Sequence, residues 1–251
     1  ASVGGKPLAR LSNVAALQDA GNRRGLDGVA LGMPLANRFR EEKPAHASLV
    51  SLIIPSDNEL HITTTIASIV LMTSYANFEI VVVTNALCAA ACQRQTATLN
   101  VRYVPYDKPY NFSDKCNVGA EAAAGDYIVF FNDDVRVIES DWLDVVMESL
   151  TKPGVGVVGP KLLYENGAIQ HGGMVSGVRG LVGTAFHTFP EHTPAHFGFA
   201  RCTREVSLIC GAGVAMPAAI FREIGGYDAV NAPIAHSDVD LCFKVREAGY
   251  S

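Results

Sequence analysis

Tyr127-Ile128-Val129-Phe130-Phe131-Asn132-Asp133-Asp134 runs from five apolar or aromatic residues straight into an amide and two carboxylates. A strand that apolar is covered on both faces, as strands are inside a parallel sheet. The segments before it repeat the theme. Leu49-Val50-Ser51-Leu52-Ile53-Ile54, closed by Pro55, and Phe78-Glu79-Ile80-Val81-Val82-Val83 have the same length and character, and between them Asn58 caps a helix expected over Glu59 to about Met72. A short helix near Ala89, a strand over Val101 to Val104 and a helix capped by Ser113 lead up to Tyr127. Strand and helix alternating in this way predict an α/β fold with a mostly parallel, Rossmann-like central sheet flanked by helices.

After the acidic triplet, Ser140 caps a helix through Leu150, and Val155 to Val158 reads as another strand. The rhythm then changes, because Leu162-Leu163-Tyr164 and Ile169 onward flank Asn166-Gly167, a strong hairpin-turn signal. Residues 172 to 200 are rich in Gly, His and Pro and read as a long loop over the sheet, a place for lids and binding walls. Cys210 to Met216 reads as a buried strand, Pro217 opens a short helix, and Asp238 to Ala248 is a helix closed by Gly249. Toward the other end, residues 1–47 carry one short helical pattern around Asn13 to Asp19 and a Pro-containing approach at Glu42-Lys43-Pro44. They read as an appendage to a domain over residues 48–251.

Composition removes several classes of function. With 49% hydrophobic and 18% charged residues the chain of 251 has ample core material and is neither disordered nor fibrous. A net charge of −5, from 20 basic and 25 acidic residues, leaves no footprint for a phosphate backbone, so nucleic acid is not an expected partner. No apolar run approaches the roughly 18 to 20 residues of a membrane span, and Ala1-Ser2-Val3-Gly4-Gly5 lacks signal-peptide character. The chain reads as a soluble, cytoplasmic piece of a longer protein. None of its six cysteines forms a CxxC pair, and they read as buried free thiols; Cys88 and Cys92 can share a helix face. Ile53-Ile54-Pro55-Ser56-Asp57-Asn58 holds no glycine, which speaks against a GxGxxG dinucleotide loop or a P-loop.

The chemistry gathers at two acidic pairs. Asn132-Asp133-Asp134 falls at the carboxyl edge of the sheet, where open α/β sheets bind ligands, and its hard oxygens suit Mg²⁺ or Mn²⁺ bridging to phosphates. An Asx-turn ending the strand is the plainer alternative. Asp238 and Asp240 stand two residues apart on a helix, a rotation of about 200°, so they cannot serve one site together. Asp238 heads the apolar stripe of Leu241, Cys242 and Val245 and faces inward, as a catalytic base or as a helix cap. Asp240 pairs with Lys244 at i+4 on the solvated side.

At this point the residues resemble a known family, the family 2 glycosyltransferases with the GT-A fold, in the bacterial branch tied to polysaccharide and O-antigen assembly. The likeness extends from about Ser48 to Tyr250. It rests on Val50 to Pro55, Phe78 to Val83, Tyr110-Asn111-Phe112-Ser113 with Asn117 and Gly119, and Gly125-Asp126-Tyr127 leading into Phe131-Asn132-Asp133-Asp134. It continues through Asp141-Trp142-Leu143, Gly156 to Tyr164, Ile169 to Gly173, Gly211-Ala212, Gly225-Gly226-Tyr227-Asp228 and Asp238-Val239-Asp240-Leu241-Cys242.

The resemblance implies a nucleotide-sugar donor carrying UDP, dTDP or GDP, a divalent metal (Mn²⁺ or Mg²⁺), inversion at the anomeric carbon, and a glycan or lipid-linked hydroxyl acceptor. Asn132-Asp133-Asp134 takes the place of the DxD motif, with Asp134 as metal ligand and Asp133 as metal or ribose contact. Asp238 matches the general base. Pro55, Ser56, Asp57, Thr84 and Asn85 would wall the nucleotide pocket. Lys115 and Asn117 would approach the phosphates or ribose, or else stand as ordinary helix surface. A peripheral place at the inner membrane face is the one membrane contact this implies.

The chain departs from the family pattern at three points. Thr84 stands where the family often has an Asp that contacts the nucleobase or ribose, Ser237 replaces the acidic partner of Asp238, and a His metal ligand or phosphate contact would fall beyond Ser251. These departures keep a non-catalytic sugar-nucleotide-binding module in view as the alternative. A nucleotidyltransferase would need a Gly- and Arg-rich loop after the first strand, where Pro55-Ser56-Asp57-Asn58 stands. His187, His192 and His196 have no rigid zinc-ligand spacing. His171 either lines the acceptor side or packs in a loop, and Trp142 is a packing anchor.

Overall fold

Two elements and two connections decide where the site forms. The computed structural model describes residues 7–33, 36–41, 48–178 and 180–251; the segments Ala1 to Gly5 and Glu42-Lys43-Pro44 discussed above lie outside them. Ahead of the sheet come α1 (Pro7–Arg23) and an antiparallel hairpin of β1 (Gly28–Gly32) and β2 (Asn37–Glu41). The helix is longer than the Asn13 to Asp19 pattern suggested. Its register is tied to the hairpin by Gln18, whose amide donates to the Gly28 carbonyl at 2.9 Å and accepts from the Ala30 N–H at 2.8 Å.

The central sheet begins at β3 (Val50–Pro55), followed by α2 (Glu59–Met72), β4 (Phe78–Thr84), α3 (Ala86–Gln95), β5 (Val101–Pro105), α4 (Phe112–Ala122), β6 (Tyr127–Phe130) and α5 (Trp142–Leu150). Next come the short β7 (Leu162–Leu163) and β8 (Ile169–His171), β9 (Met174–Val178), β10 (Leu181–Thr184), α6 (Ala195–Gly198), β11 (Val214–Pro217), α7 (Ala218–Glu223) and α8 (Ser237–Glu247). The five-stranded sheet has the order β11-β6-β3-β4-β5, parallel except for β11, which runs antiparallel to β6 along Val214↔Phe130 to Pro217↔Tyr127. The chain steps outward from β3 to β5 and then returns to β6 on the other side of β3. That reversal opens a crevice between the carboxyl ends of β3 and β6.

Period-two alternation sorts the strand residues onto two faces. Val50, Leu52, Ile54, Ile80, Val82, Val129 and Phe131 meet Ile62, Ile66 and Ile69 of α2, the α3 cysteines and Leu143, Val146 and Met147 of α5. On the other face Ile53, Val81, Val83, Ile128 and Phe130 meet Cys116 of α4, Ile220 and Phe221 of α7, and Leu241, Cys242 and Val245 of α8. Helix α4 lies so close that a Cβ on Gly119 would stand 2.4 Å from Ile53 Cγ2. Cys88 and Cys92 do share a buried face, with sulfurs 4.0 Å apart.

Several local expectations need correction. Asn111, not Ser113, caps α4, accepting from the Asp114 N–H at 2.9 Å, while the Ser113 hydroxyl donates to the Ala232 carbonyl. Helix α5 starts after Asp141 with no side-chain cap. Val155 to Val158 joins the sheet only by a single bridge from Val158 to Ala215, because the Gly156 and Val157 N–H groups go to the Ser251 carbonyl at 2.7 and 3.2 Å. The loop expected over 172 to 200 contains the β9–β10 hairpin, with Gly177 and Gly180 at positive φ (84° and 76°) beside the turn.

By contact density the chain divides into two compact units, one of residues 47–162, 171–185 and 206–251, the other of residues 1–46, 163–170 and 186–205. The first holds the sheet and both acidic pairs. In the second, Gly167 takes φ 77° in the predicted Asn166-Gly167 turn, and the Tyr164 hydroxyl meets His187 Nε2 at 2.9 Å. His192 lies 3.8 Å from Glu191 and His196 packs its ring against Phe186. The three histidines therefore have separate partners, and among the described residues no group of three or more His, Cys, Asp or Glu is placed to hold a metal.

Candidate active site

Pro55-Ser56-Asp57 and Asn132-Asp133-Asp134 leave the sheet from adjacent strands and face one another across the crevice. The Ser56 hydroxyl donates to Asp133 Oδ2, the Thr65 hydroxyl of α2 donates to the Asp133 carbonyl, and His61 Nδ1 stands 3.5 Å from Asp133 Oδ2. Asp133 is thus held by Ser56 and the first turns of α2, and no described contact engages its other carboxylate oxygen. Asn132 is half-buried beside it, and Asp134 is exposed, with no hydrogen-bond or ion-pair partner among the described residues.

Asp57 has the opposite character. Its Oδ1 accepts from the Asn85 N–H at 2.9 Å, the Asn85 amide at 3.1 Å and the Thr84 hydroxyl at 3.2 Å, and its Oδ2 meets Lys115 Nζ at 2.6 Å. Burial pushes the Asp57 carboxyl upward, but the bonds from Lys115, Asn85 and Thr84 prevail and hold it below the usual carboxylate value. Lys115 is completely buried. Its ammonium also donates to the Ser56 and Val83 carbonyls at 3.2 and 3.5 Å and lies 5.3 and 5.2 Å from the ring centres of Tyr106 and Tyr110. Three donors are all an ammonium has. Lys115 is therefore neither helix surface nor a phosphate contact: it holds the β3 and β4 ends together.

Asn117 is likewise occupied, its amide donating to the Tyr227 carbonyl and accepting from the Tyr227 N–H, both at 2.9 Å. It braces the turn at Gly226, whose φ of 67° suits glycine, and a donor contact is not the role this geometry gives it. Tyr110, which the sequence reading used only as part of a motif, stands half-exposed where the charges of Asp133 and Asp57 both reach its phenol, adding to the effect of burial in raising its pKa. His61 was also missed. Its position in the first turn of α2, four residues after Asp57, was the available signal.

Asp238 opens α8 as expected, one carboxylate oxygen accepting from the Gly211 N–H and the other from the Val239 N–H, both at 2.8 Å. Asp240 pairs with Lys244 at 2.8 Å, but the pair is not the solvated one expected: Asp240 Oδ2 is buried, both residues are only partly exposed, and the Lys244 ammonium also donates to the Gly226 carbonyl at 3.1 Å. Burial raises the Cys210 thiol against a backbone hydrogen bond at Ala212 that lowers it, with smaller raising contributions from the charges of Asp238 and Asp134. Ser237 is buried, and Trp142 packs edge-on against Phe131 while donating to the Thr73 hydroxyl at 3.0 Å.

The donor chemistry fits a hard divalent cation. Asp134 offers an uncommitted carboxylate and Asp133 one further oxygen, and ions of the Mg²⁺ kind commonly take one or two protein carboxylates and complete their shell with substrate phosphates and water. A closed cage of protein ligands is not required for that mode.

Comparison with known proteins agrees with this geometry. The family described as Glycosyl transferase family 2 matches residues 51–225. An uncharacterized protein, y4gI, of Sinorhizobium fredii is 35% identical over 230 residues, covering 89% of this chain and 25% of that protein. The O-antigen biosynthesis protein RfbC of Myxococcus xanthus is 30% identical over 253 residues, covering 98% of this chain and 20% of RfbC. This chain thus spans a quarter or less of the length of either relative. Among solved structures, the mannosyltransferase PcManGT of Pyrobaculum calidifontis, in complex with GDP-Man and Mn²⁺, superposes with a TM-score of 0.59 at 17% identity, covering 96% of this chain and 62% of that one. That likeness shows the fold, the GT-A α/β arrangement. With the family matched across most of its length, the chain belongs to glycosyl transferase family 2.

Proposed function

We propose that this domain is a metal-dependent inverting glycosyltransferase that moves a sugar from a nucleoside diphosphate donor to a hydroxyl acceptor in polysaccharide, O-antigen or cell-wall glycan synthesis. The observation that carries the reading is the pairing of an uncommitted Asp134 at the carboxyl end of β6 with Asp238 at the start of α8, each of whose oxygens holds one backbone N–H. A carboxylate oxygen with one such bond keeps a lone pair for a proton. The O-antigen relative and the structural neighbour holding GDP-Man and Mn²⁺ support the choice of chemistry.

In this reading the acceptor O–H attacks the anomeric carbon from the face opposite the diphosphate. Its proton passes to the Asp238 carboxylate, the new C–O bond forms, and the bond to the diphosphate oxygen breaks with its electron pair leaving on the phosphate. Asp134 and Asp133 would hold Mn²⁺ or Mg²⁺, which supplies charge neutralisation for that leaving group. Asp57 and Asn85 face the nucleotide side, while Pro55, Ser56 and Thr84 are buried behind them and shape that wall without surface of their own. Tyr110 offers an aromatic face there. Among the described residues no helix is long and apolar enough to cross a membrane. A cytoplasmic place with peripheral contact to the inner membrane face is part of the proposal, and vesicle flotation tests it.

The deciding experiment is calorimetric titration of UDP, dTDP and GDP, with and without Mn²⁺, into the wild type and Asp134→Ala. Metal-dependent binding of one nucleotide that disappears in the variant is the expected result. No binding of any nucleotide under either condition overturns the proposal. Binding without transfer by the wild type would select the non-catalytic module, a reading that Ser237 in place of a second carboxylate favours.

A further inference from the structure

Asp238 is held by the last of three consecutive backbone N–H donors that form a strap beside α8, and the middle one turns away from the helix. Ile209 donates to Cys242 Sγ at 3.4 Å and Gly211 to Asp238 Oδ2 at 2.8 Å. Those two acceptors stand four residues apart on α8 and so share one face of the helix. Between them, the Cys210 N–H points to the other side, as alternate groups of an extended segment do, and donates to His171 Nε2 at 3.3 Å. The same nitrogen accepts from the Gly173 N–H, also at 3.3 Å. His171 is buried, so this ring nitrogen has no exchange of partners with bulk water.

The neighbourhood leaves little room for the strap to move. Met174 and Leu208 bridge in both directions, with N–H to carbonyl distances of 2.9 and 3.3 Å. A Cβ on Gly173 would stand 2.5 Å from Val206 Cγ1, and one on Gly211 only 3.5 Å from the Asp238 Cβ. His171 is the polar side chain that ties the turn after β8 to the strap, and the strap to the carboxylate. An acceptor Nε2 also places the ring proton on Nδ1.

We propose that His171 is a positioning residue for the transfer reaction: by accepting the Cys210 and Gly173 N–H groups at Nε2, it fixes the Ile209–Cys210 peptide, the neighbour of the one that presents the Gly211 N–H to Asp238, and so aims the base. This rests on Asp238 being the base, as proposed above. His171 touches neither donor nor acceptor in this scheme. Its removal should lower turnover and leave donor affinity alone, because misplacing a catalytic group by a fraction of a bond length costs rate without costing ground-state binding.

The test uses His171→Phe, which keeps a planar ring and removes the acceptor, and His171→Gln, whose Oε1 can stand near the Nε2 position. Turnover is followed as nucleoside diphosphate release from GDP-mannose, UDP-glucose and dTDP-glucose with Mn²⁺, water serving as acceptor. Amide hydrogen exchange is followed at Gly173, Cys210 and Gly211. For His171→Phe we expect kcat to fall about 10- to 100-fold with KM for the donor within about twofold, and exchange to quicken at those three amides. His171→Gln should restore both.

Unchanged exchange at Cys210 and Gly211 in His171→Phe overturns the proposal whether or not a probe sugar is turned over. So does a kcat loss that His171→Gln leaves unrepaired while its melting temperature matches wild type. Asp238→Asn, run in parallel, separates the two ideas. If it keeps wild-type turnover the base assignment fails, while an inactive Asp238→Asn beside a His171→Phe that loses kcat but not donor affinity keeps both.

Discussion

Two carboxylates sit at the ends of neighbouring strands and differ in almost everything else. Asp57, after β3, has both oxygens committed: three donors on Oδ1 and a fully buried ammonium on Oδ2. Asp134, after β6, has no described partner and faces solvent. In sequence each is an Asp just beyond an apolar strand. The difference teaches that position at the carboxyl edge of a sheet makes a residue available to a ligand only if its neighbours leave its oxygens unclaimed. Asp57 is a structural carboxylate that ties the ends of β3 and β4 together, and Asp134 is the one with coordination capacity to offer.

The largest effect should come from the open side. Asp238→Asn should reduce transfer about 10²- to 10⁴-fold, the usual contribution of a positioned general base, with nucleotide binding by calorimetry unchanged. On the closed side the consequence is loss of fold stability. Asp57→Ala strands the Lys115 ammonium in the interior, and urea denaturation should show a loss of about 3 kcal/mol, the low end of the range for a broken buried pair since Asp57 itself is partly exposed. Lys115→Met removes the buried charge instead and should cost about 1 kcal/mol, because water can reach the remaining carboxylate. Equal losses in the two variants would erase the asymmetry.

Acid sharpens the same contrast. The Asp57 carboxyl is held below its unfolded value, so between the two pKa values the unfolded chain binds more protons than the folded one. The stability it contributes is present above about pH 4, the unfolded Asp value, and is lost as pH falls through the folded pKa. Denaturation midpoints of wild type should therefore drop in that acid window, and those of Asp57→Asn should drop less. Asp240→Ala breaks the part-buried pair with Lys244 on α8 and should cost about 1 kcal/mol, the upper end of what a near-surface ion pair contributes, read by urea denaturation. Asp134→Ala should leave stability within about 0.5 kcal/mol of wild type at any of these pH values.

Much of this was legible one element at a time. Asn58 announced α2, Asn166-Gly167 its hairpin turn and Gly249 the end of α8, because each acts on backbone within a few residues of itself. The helical rotation between Asp238 and Asp240 separated two carboxylates with different partners, the Gly211 N–H and Lys244, for the same local reason. Where local signals competed, the reading slipped. Ser113 and Asn111 are both good caps, and only the Ala232 carbonyl, 119 residues away, decides which one keeps its side chain for the helix. The Gly-rich stretch after His171 lacked the β-branched density of a strand, and the β9–β10 hairpin forms there through pairing that propensity does not encode.

By itself the sequence determined the α/β alternation, the apolar strands, the acidic triplet at the end of β6 and the inward face of α8, because hydrophobic period and helix geometry are properties of short segments. Tertiary structure alone decided that Lys115 is buried, that Asn117 braces Tyr227, that Asp57 is saturated while Asp134 is open, and that His171 reaches the strap beside Asp238. Each of those outcomes is a matter of which hydrogen-bonding groups meet across 27 to 119 residues of chain, and such partners are chosen when the sheet closes and water is expelled.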